Sequence, residues 1–377
     1  MFGARMATAA VIGGAMSFGM ALALFGVRKA AAARSRSLSS GTWLALNLAI
    51  PVSVLLGGVL LDIYGARALL VAGSTTLAVA LAALSLRPTA PHAMISMPLA
   101  VLGAANVGVA SIALMSRVLF APEEMTASLN LGFVFLALGS LPTPILAEMM
   151  AEKLHPRRTR AAFALLALLP AFLAVIPDRE PWPRSDPSSA STTLMAEPEL
   201  WLAATVMFFY VPLEAAIGLW TFTSLRERRH DAKEETRLLS YFWAASIASR
   251  LLIALAQHLG FSIDGWDRFL IVIPPLLAGA LLGNLLGATS LGRMRAGMVL
   301  LGMLLGPVMP TLLAILFHDL ALGKEGTAFG LVFAAGSLGS ALLAPIVARR
   351  TSITLRLPIF LALSVAAAGL VMGLIGQ

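Results

Sequence analysis

The sequence contains no cysteine, which excludes disulfides, thiol catalysis and zinc–thiolate sites together. Charge is scarce as well: 12% of the 377 residues are Asp, Glu, Lys or Arg, where an ordinary soluble protein carries about 25%. The five histidines, His92, His155, His230, His258 and His318, lack metal-ligand spacing. Neither a metal nor a cofactor is expected. No nucleophile elbow, zinc-protease pair or phosphate-binding loop occurs, so an enzyme is not expected either. Long polar runs are also missing: the longest, 177–199, has the length of a linker and is rich in Pro and Ser.

What fills the chain instead is hydrophobic, at 59% of residues. A bilayer core of roughly 30 Å needs about 20 mostly apolar residues per helical span. Such stretches occur near 7–27, 42–61, 68–86, 93–116, 126–150 and 160–176 before the linker. After it they occur near 200–223, 237–259, 268–289, 296–317, 325–348 and 354–375, the ninth interrupted by Pro274 and Pro275. The first has the look of a signal peptide, but its apolar run is longer than a typical signal core and reads as a span. The net charge of +8 has no basic domain to serve, so nucleic acid is not an expected partner. Basic loops beside lipid headgroups account for it more simply. The expected organisation is a six-helix bundle over 1–176, a polar linker over 177–199 and a second six-helix bundle over 200–377.

Duplicated halves are common in transporters, and one stretch hints at duplication here. Gly132-Phe133-Val134-Phe135 followed by Gly139-Ser140-Leu141, in the fifth span, resembles Gly330-Leu331-Val332-Phe333 followed by Gly336-Ser337-Leu338 in the eleventh. Proline is frequent within the spans, at 142, 144, 212, 274, 275, 307, 310 and 345. Each frees a backbone carbonyl that must then face protein or a watery cavity.

Between the second and third spans the chain reads Gly58-Val-Leu-Leu-Asp62-Ile-Tyr-Gly65-Ala-Arg67. This resembles the loop signature of the major facilitator superfamily, in which the glycine permits tight packing and the charges latch one conformation. The resemblance implies that role for Gly58, Asp62, Gly65 and Arg67; Ile63 and Ala66 depart from it, since basic residues usually stand there. Tyr210 to Trp220, Tyr241 to Leu252 and Gly306 to Thr311, with Asn130 to Pro144, are similar to helices of the fucose permease group and its sugar-transporting relatives. The resemblance implies an all-α membrane protein, with twelve transmembrane helices in two pseudo-symmetric six-helix bundles. It also implies a proton-coupled sugar or sugar-like substrate moved by alternating access, in a monomer of a bacterial inner membrane. One departure stands out: the spans at 7–27 and 93–116 lack the acidic residues expected in helices one and four of that group.

Ionisable side chains deep in a membrane are costly and tend to face a cavity or one another. Glu214 and Arg250 lie ~15 Å and ~20 Å from their shared loop at 1.5 Å per residue, a difference that a long arginine spans. Glu214 is a candidate to carry a proton or bind substrate, with Arg250 setting its affinity for the proton or meeting an anion. A permanent structural ion pair is the competing reading. Asn106, Asn130 and Asn284 suit sugar hydroxyls, or else interhelical hydrogen bonds. Tyr210 and Trp220 suit stacking on a sugar ring. Trp43, Trp201, Trp243 and Trp266 lie near span ends, where membrane interfaces place tryptophan.

Loop charge conflicts with the family's orientation. With the amino terminus inside, most of the 27 basic residues fall in external loops, against the usual cytoplasmic excess. In that orientation the outer face would be electropositive and would gather anions such as acidic sugars. Two alternatives to a sugar symporter therefore stand: an exporter of organic anions, drugs or lipids, and a non-transporting receptor or scaffold of the same fold.

Overall fold

A computed structural model describes residues 2–35, 40–86, 90–153, 156–176, 194–227, 232–261, 266–286, 288, 290–319, 324–348 and 352–375. Most of the expected linker, with His155 and His230, lies outside these residues. Every regular element among them is helical, as a chain in lipid requires, because a helix satisfies its backbone polar groups internally. The first seven helices are α1 (Phe2–Ser35), α2 (Ser40–Tyr64), α3 (Ala66–Leu86), α4 (Ala90–Val118), α5 (Met125–Ser140), α6 (Thr143–Lys153) and α7 (Pro156–Val175). The second seven are α8 (Pro198–Glu227), α9 (Ala232–His258), α10 (Asp267–Leu286), α11 (Leu291–Leu305), α12 (Val308–Asp319), α13 (Glu325–Ala348) and α14 (Ser352–Ile375). They make twelve passages, because α5 with α6 forms the fifth and α11 with α12 the tenth. Ten stretches among the described residues are long and apolar enough to cross a membrane.

The breaks in the fifth and tenth passages have the same cause. Pro142 and Pro144 carry no amide hydrogen for the carbonyls four residues earlier, and Pro307 and Pro310 repeat the defect. Pro274 and Pro275 behave otherwise. The helix α10 runs through both without interruption, against the expectation of a broken ninth span. Pro51, Pro98, Pro170, Pro212 and Pro358 also sit inside continuous helices.

Hydroxyls within the passages turn back onto their own helix. Thr75 donates to the Val71 carbonyl at 2.7 Å, Thr205 to Trp201 at 2.8 Å and Ser364 to Phe360 at 2.8 Å. Large apolar side chains such as Leu165, Phe172, Leu255 and Phe360 stand more than half exposed. In a membrane that is the lipid-facing surface.

The chain divides into two compact units. The first comprises Met1–Ser128, Gly132–Thr193 and Leu320–Ala334, and the second Leu129–Leu131, Leu194–Asp319 and Ala335–Gln377. In the first, α3 packs on α4 and α7, α1 on α4 and α7, and α2 on α4. In the second, α10 packs on α11, α12 and α14, α8 on α12 and α14, and α9 on α11. Counted as passages, these pairings repeat: third on fourth becomes ninth on tenth, first on sixth becomes seventh on twelfth. The repeated glycines follow the same rule. A Cβ on Gly139 would run into the Met16 backbone of α1, and one on Gly336 would meet Val211 and the Met207 carbonyl of α8.

Candidate functional site

Two clusters of polar side chains stand out, one in each unit. The first lies where α2 ends. Gly65 has φ +79°, a left-handed conformation that glycine adopts without steric cost, and its amide closes α2 by donating to the Leu61 carbonyl at 2.8 Å. Asp62 then sits at the mouth of the turn. Its carboxylate accepts from the Gly326 amide at 3.0 Å, from the Thr327 amide at 2.8 Å and from the Thr327 hydroxyl. Those amides belong to the first turn of α13, where unpaired N–H groups and the helix dipole favour an anion.

Two further contacts complete this cluster. Glycine at 58 lets α2 and α13 approach closely: a Cβ there would run into the Gly326 carbonyl, and one on Gly330 would lie 3.2 Å from the Gly58 Cα. Arg117, in the last turn of α4, forms an ion pair with Glu325, in the first turn of α13. Sequence reasoning singled out neither Arg117 nor Glu325; the available signal was a base closing one helix and an acid opening another. Arg67, expected beside Asp62, turns elsewhere. Its guanidinium donates to the carbonyls of Ala174 at 2.8 Å and Val175 at 3.2 Å, capping the C-terminus of α7.

The second cluster is built on the broken tenth passage. Pro310 offers no amide to the Gly306 carbonyl, and Arg250 of α9 replaces it by donating Nε–H at 2.7 Å. Beside it, the Leu305 carbonyl at the end of α11 lies 2.7 Å from the Tyr210 hydroxyl. The same hydroxyl lies 2.9 Å from Glu214 Oε1, one turn further along α8. The charge of Arg250 acts on both Tyr210 and Glu214. Arg250 is 5% exposed and Tyr210 is fully enclosed. One phenolic proton thus faces two acceptors, a carboxylate and a backbone carbonyl. Glu214 and Arg250, expected as a pair, lie in one cluster, and Tyr210, expected as a stacking ring, joins them through its hydroxyl and is fully enclosed.

The other sequence candidates stand apart from this cluster. Trp220 is buried at 2% exposure, six residues beyond Glu214 on α8. Asn106 of α4 is buried against Gly57 and Gly73, and its Oδ1 has no hydrogen-bond partner among the described residues. Asn130 of α5 is buried. Asn284 is exposed near the end of α10, where its Oδ1 accepts from Arg293 at 3.0 Å. Trp201 and Trp266, at the starts of α8 and α10, are 50% and 67% exposed, as interfacial residues would be. A small pocket lined by Glu199, Arg268, Ile271, Ile315 and Met372 lies among other residues of the second unit. Among the described residues no group of His, Asp and Glu is arranged to hold a metal.

Comparison with known proteins brings in the family. Residues 3–344 match the model of the Major Facilitator Superfamily. No curated protein sequence matches the chain. Among solved structures, FucP, the fucose:proton symporter of E. coli, aligns in its outward conformation with a TM-score of 0.75 at 13% identity, over 97% of this chain and 98% of that one. The proton:xylose symporter XylE, bound to 6-bromo-6-deoxy-D-glucose, gives 0.74 at 12% identity over 99% and 95%. The human organic anion transporter MFSD10 gives 0.72 at 15% identity over 99% of each chain. At such identities the likeness is one of fold.

Proposed function

The chain belongs to the Major Facilitator Superfamily, a family of transporters and not of enzymes, and from that premise we propose that it moves a small polar solute, a sugar or sugar-like molecule, by proton-coupled alternating access. Two six-helix halves, joined by the linker, serve as its moving parts. It acts as a monomer in a bacterial inner membrane, with lipid, protons and the solute as its partners. The observation that carries the reading is the cluster of Glu214, Tyr210 and Arg250. A carboxyl group lies deep in an apolar helix, one hydrogen bond from a phenol, within reach of a guanidinium's charge. Purely structural pairing does not need that cost, because apolar packing would replace it at little loss.

The residues expected in helices one and four of the fucose permease group are absent here, and Glu214 takes over proton carriage from the second half. Arg250, fixed to the Gly306 carbonyl by Nε, holds its charge in one place while Glu214 gains and loses a proton. Asp62, placed on the first turn of α13, serves as the conformational latch together with Gly58 and Gly65, while Arg67 supports it at a distance by capping α7.

Purified protein in proteoliposomes with an imposed pH gradient is expected to accumulate radiolabelled fucose, xylose or glucuronate. Glu214→Gln is expected to lower accumulation by roughly tenfold or more while retaining counterflow exchange. Full accumulation by that variant would remove Glu214 from the mechanism.

A second reading, export of organic anions, is favoured by the basic loops and by the fold shared with the human organic anion transporter. It predicts that fluorescein moves against its gradient where none of the three sugars does.

A further inference from the structure

Resting on the reading of Glu214 as the proton carrier, we infer that Tyr210 transmits the protonation state of Glu214 to the break between α11 and α12 by exchanging its hydrogen-bond acceptor. The inference follows from counting protons on one oxygen. Tyr210 lies 2.9 Å from Glu214 Oε1 and 2.7 Å from the Leu305 carbonyl, and neither a carboxylate nor a carbonyl has a proton to give. When Glu214 is ionised, the single phenolic proton serves one of the two. The charged carboxylate makes the stronger bond, so the Leu305 carbonyl goes without.

Adding one proton to Glu214 reverses the sense of the first bond. The carboxylic acid donates to the Tyr210 oxygen, and Tyr210 donates its own proton to Leu305. Both acceptors are then served, and no proton has left the cluster. A buried carbonyl left unpaired costs about 1–3 kcal/mol, which is enough to bias a two-state element by roughly fivefold to over a hundredfold. That element is already loosened. Pro310 has removed the amide that would have held Gly306, and Arg250 holds it instead. Loss of Glu214's proton therefore frees the carbonyl at the very residue where α11 stops, and the segment Leu305 to Pro310 is driven to a different bend.

The groups that act on Glu214 are few. Arg250 reaches it from α9 and Tyr210 from its own helix. On the helices packed against α8, the other titratable groups among the described side chains are Glu234, Arg237, Tyr241 and His258 of α9, His318 of α12 and Arg356 of α14, and α13 carries none from Ala335 to Ala348. The Glu214→Gln variant separates a response of Glu214 from one of these other groups. Tyr210 is a positioning residue in this scheme: its side chain is fully enclosed, and it acts on the break through Leu305.

The cysteine-free chain permits a direct test. Nitroxides on Met303→Cys in α11 and His318→Cys in α12 are about 22 Å apart along the passage at 1.5 Å per residue, and pulsed EPR in proteoliposomes reads their separation at acid and alkaline pH. The parent distribution is expected to shift with pH. Glu214→Gln, whose amide donates to Tyr210 as the acid does, is expected to stay at the acid-side distribution at every pH. Tyr210→Phe is expected to lose the shift while keeping its melting temperature within a few degrees. A parent that does not shift, or a Tyr210→Phe protein that shifts like the parent, overturns the inference. If Tyr210→Phe fails to fold, a pH shift persisting in Glu214→Gln does the same. Failure here is separable from failure of the transport reading: proton-driven accumulation that disappears in Glu214→Gln while the Tyr210→Phe distances still move leaves Glu214 as carrier and removes Tyr210.

Discussion

Asp62 places both carboxylate oxygens on the first turn of α13, where three donors meet them. A helix N-terminus loses about 0.5–2 kcal/mol when such a side chain is cut back to alanine. Asp62→Ala is therefore expected to destabilise the state in which α2 and α13 touch, which a cysteine at Ser53 would report as faster alkylation than in the parent. An unchanged rate would deny Asp62 its latching role. The loop signature drew attention to Asp62 as a residue, but its partners stand 264 and 265 positions further on, beyond any local pattern. Tyr210 illustrates the converse limit. Its type suggested a ring for a sugar to stack on, whereas burial leaves its hydroxyl as the working group. The spacing of four that puts Tyr210 and Glu214 on one helix face stands in the sequence, although the two were read apart; the carbonyl that completes the cluster belongs to the backbone, which no side-chain pattern reveals.

At the scale of the helix, paired prolines give opposite results in α10 and in the tenth passage. Pro274 and Pro275 leave α10 continuous, whereas Pro307 and Pro310 separate α11 from α12. The sequence marks both as candidate breaks. The second break is accompanied by donors from other helices: Arg250 serves the freed Gly306 carbonyl, and Tyr210 serves the neighbouring Leu305 carbonyl. Pro310→Ala would return an amide to the Gly306 carbonyl. The substitution is expected to raise the melting temperature by a few degrees, because alanine suits a continuous helix where proline does not, and to slow transport by stiffening the passage. Faster transport with a lower melting temperature would contradict this account of the break. At the break of the fifth passage the hydroxyls turn back onto their own passage, Thr143 donating to Gly139 at 2.6 Å and Ser140 to Ala137 at 3.1 Å.

For the molecule as a whole, hydropathy and span counting were the most legible features, because lipid imposes one length and one polarity on every passage. The pairing of first with sixth and of seventh with twelfth was not, since apolar helices carry little to specify their neighbours. Charge gives the orientation problem a structural detail. At one end of the second unit Glu234 bonds Arg295 at 3.0 Å and Arg237 at 2.8 Å, and the Arg295 hydrogen bond foremost holds its carboxyl below the usual range. Two arginines thus meet one acid at that end. Single cysteines at Ser37 and Ser188, both outside the described residues, settle which side it faces: the family orientation predicts that an impermeant reagent applied from outside labels Ser37→Cys and spares Ser188→Cys. The breaks also bear on how such a chain is free to drift. A backbone carbonyl is not encoded, but the side chains that answer it are, so positions 210, 250 and 310 are bound into one heritable set in which a change at one asks for suppressors at the others. Thr143 answers a carbonyl of its own passage, so that bond asks for no suppressor on another helix.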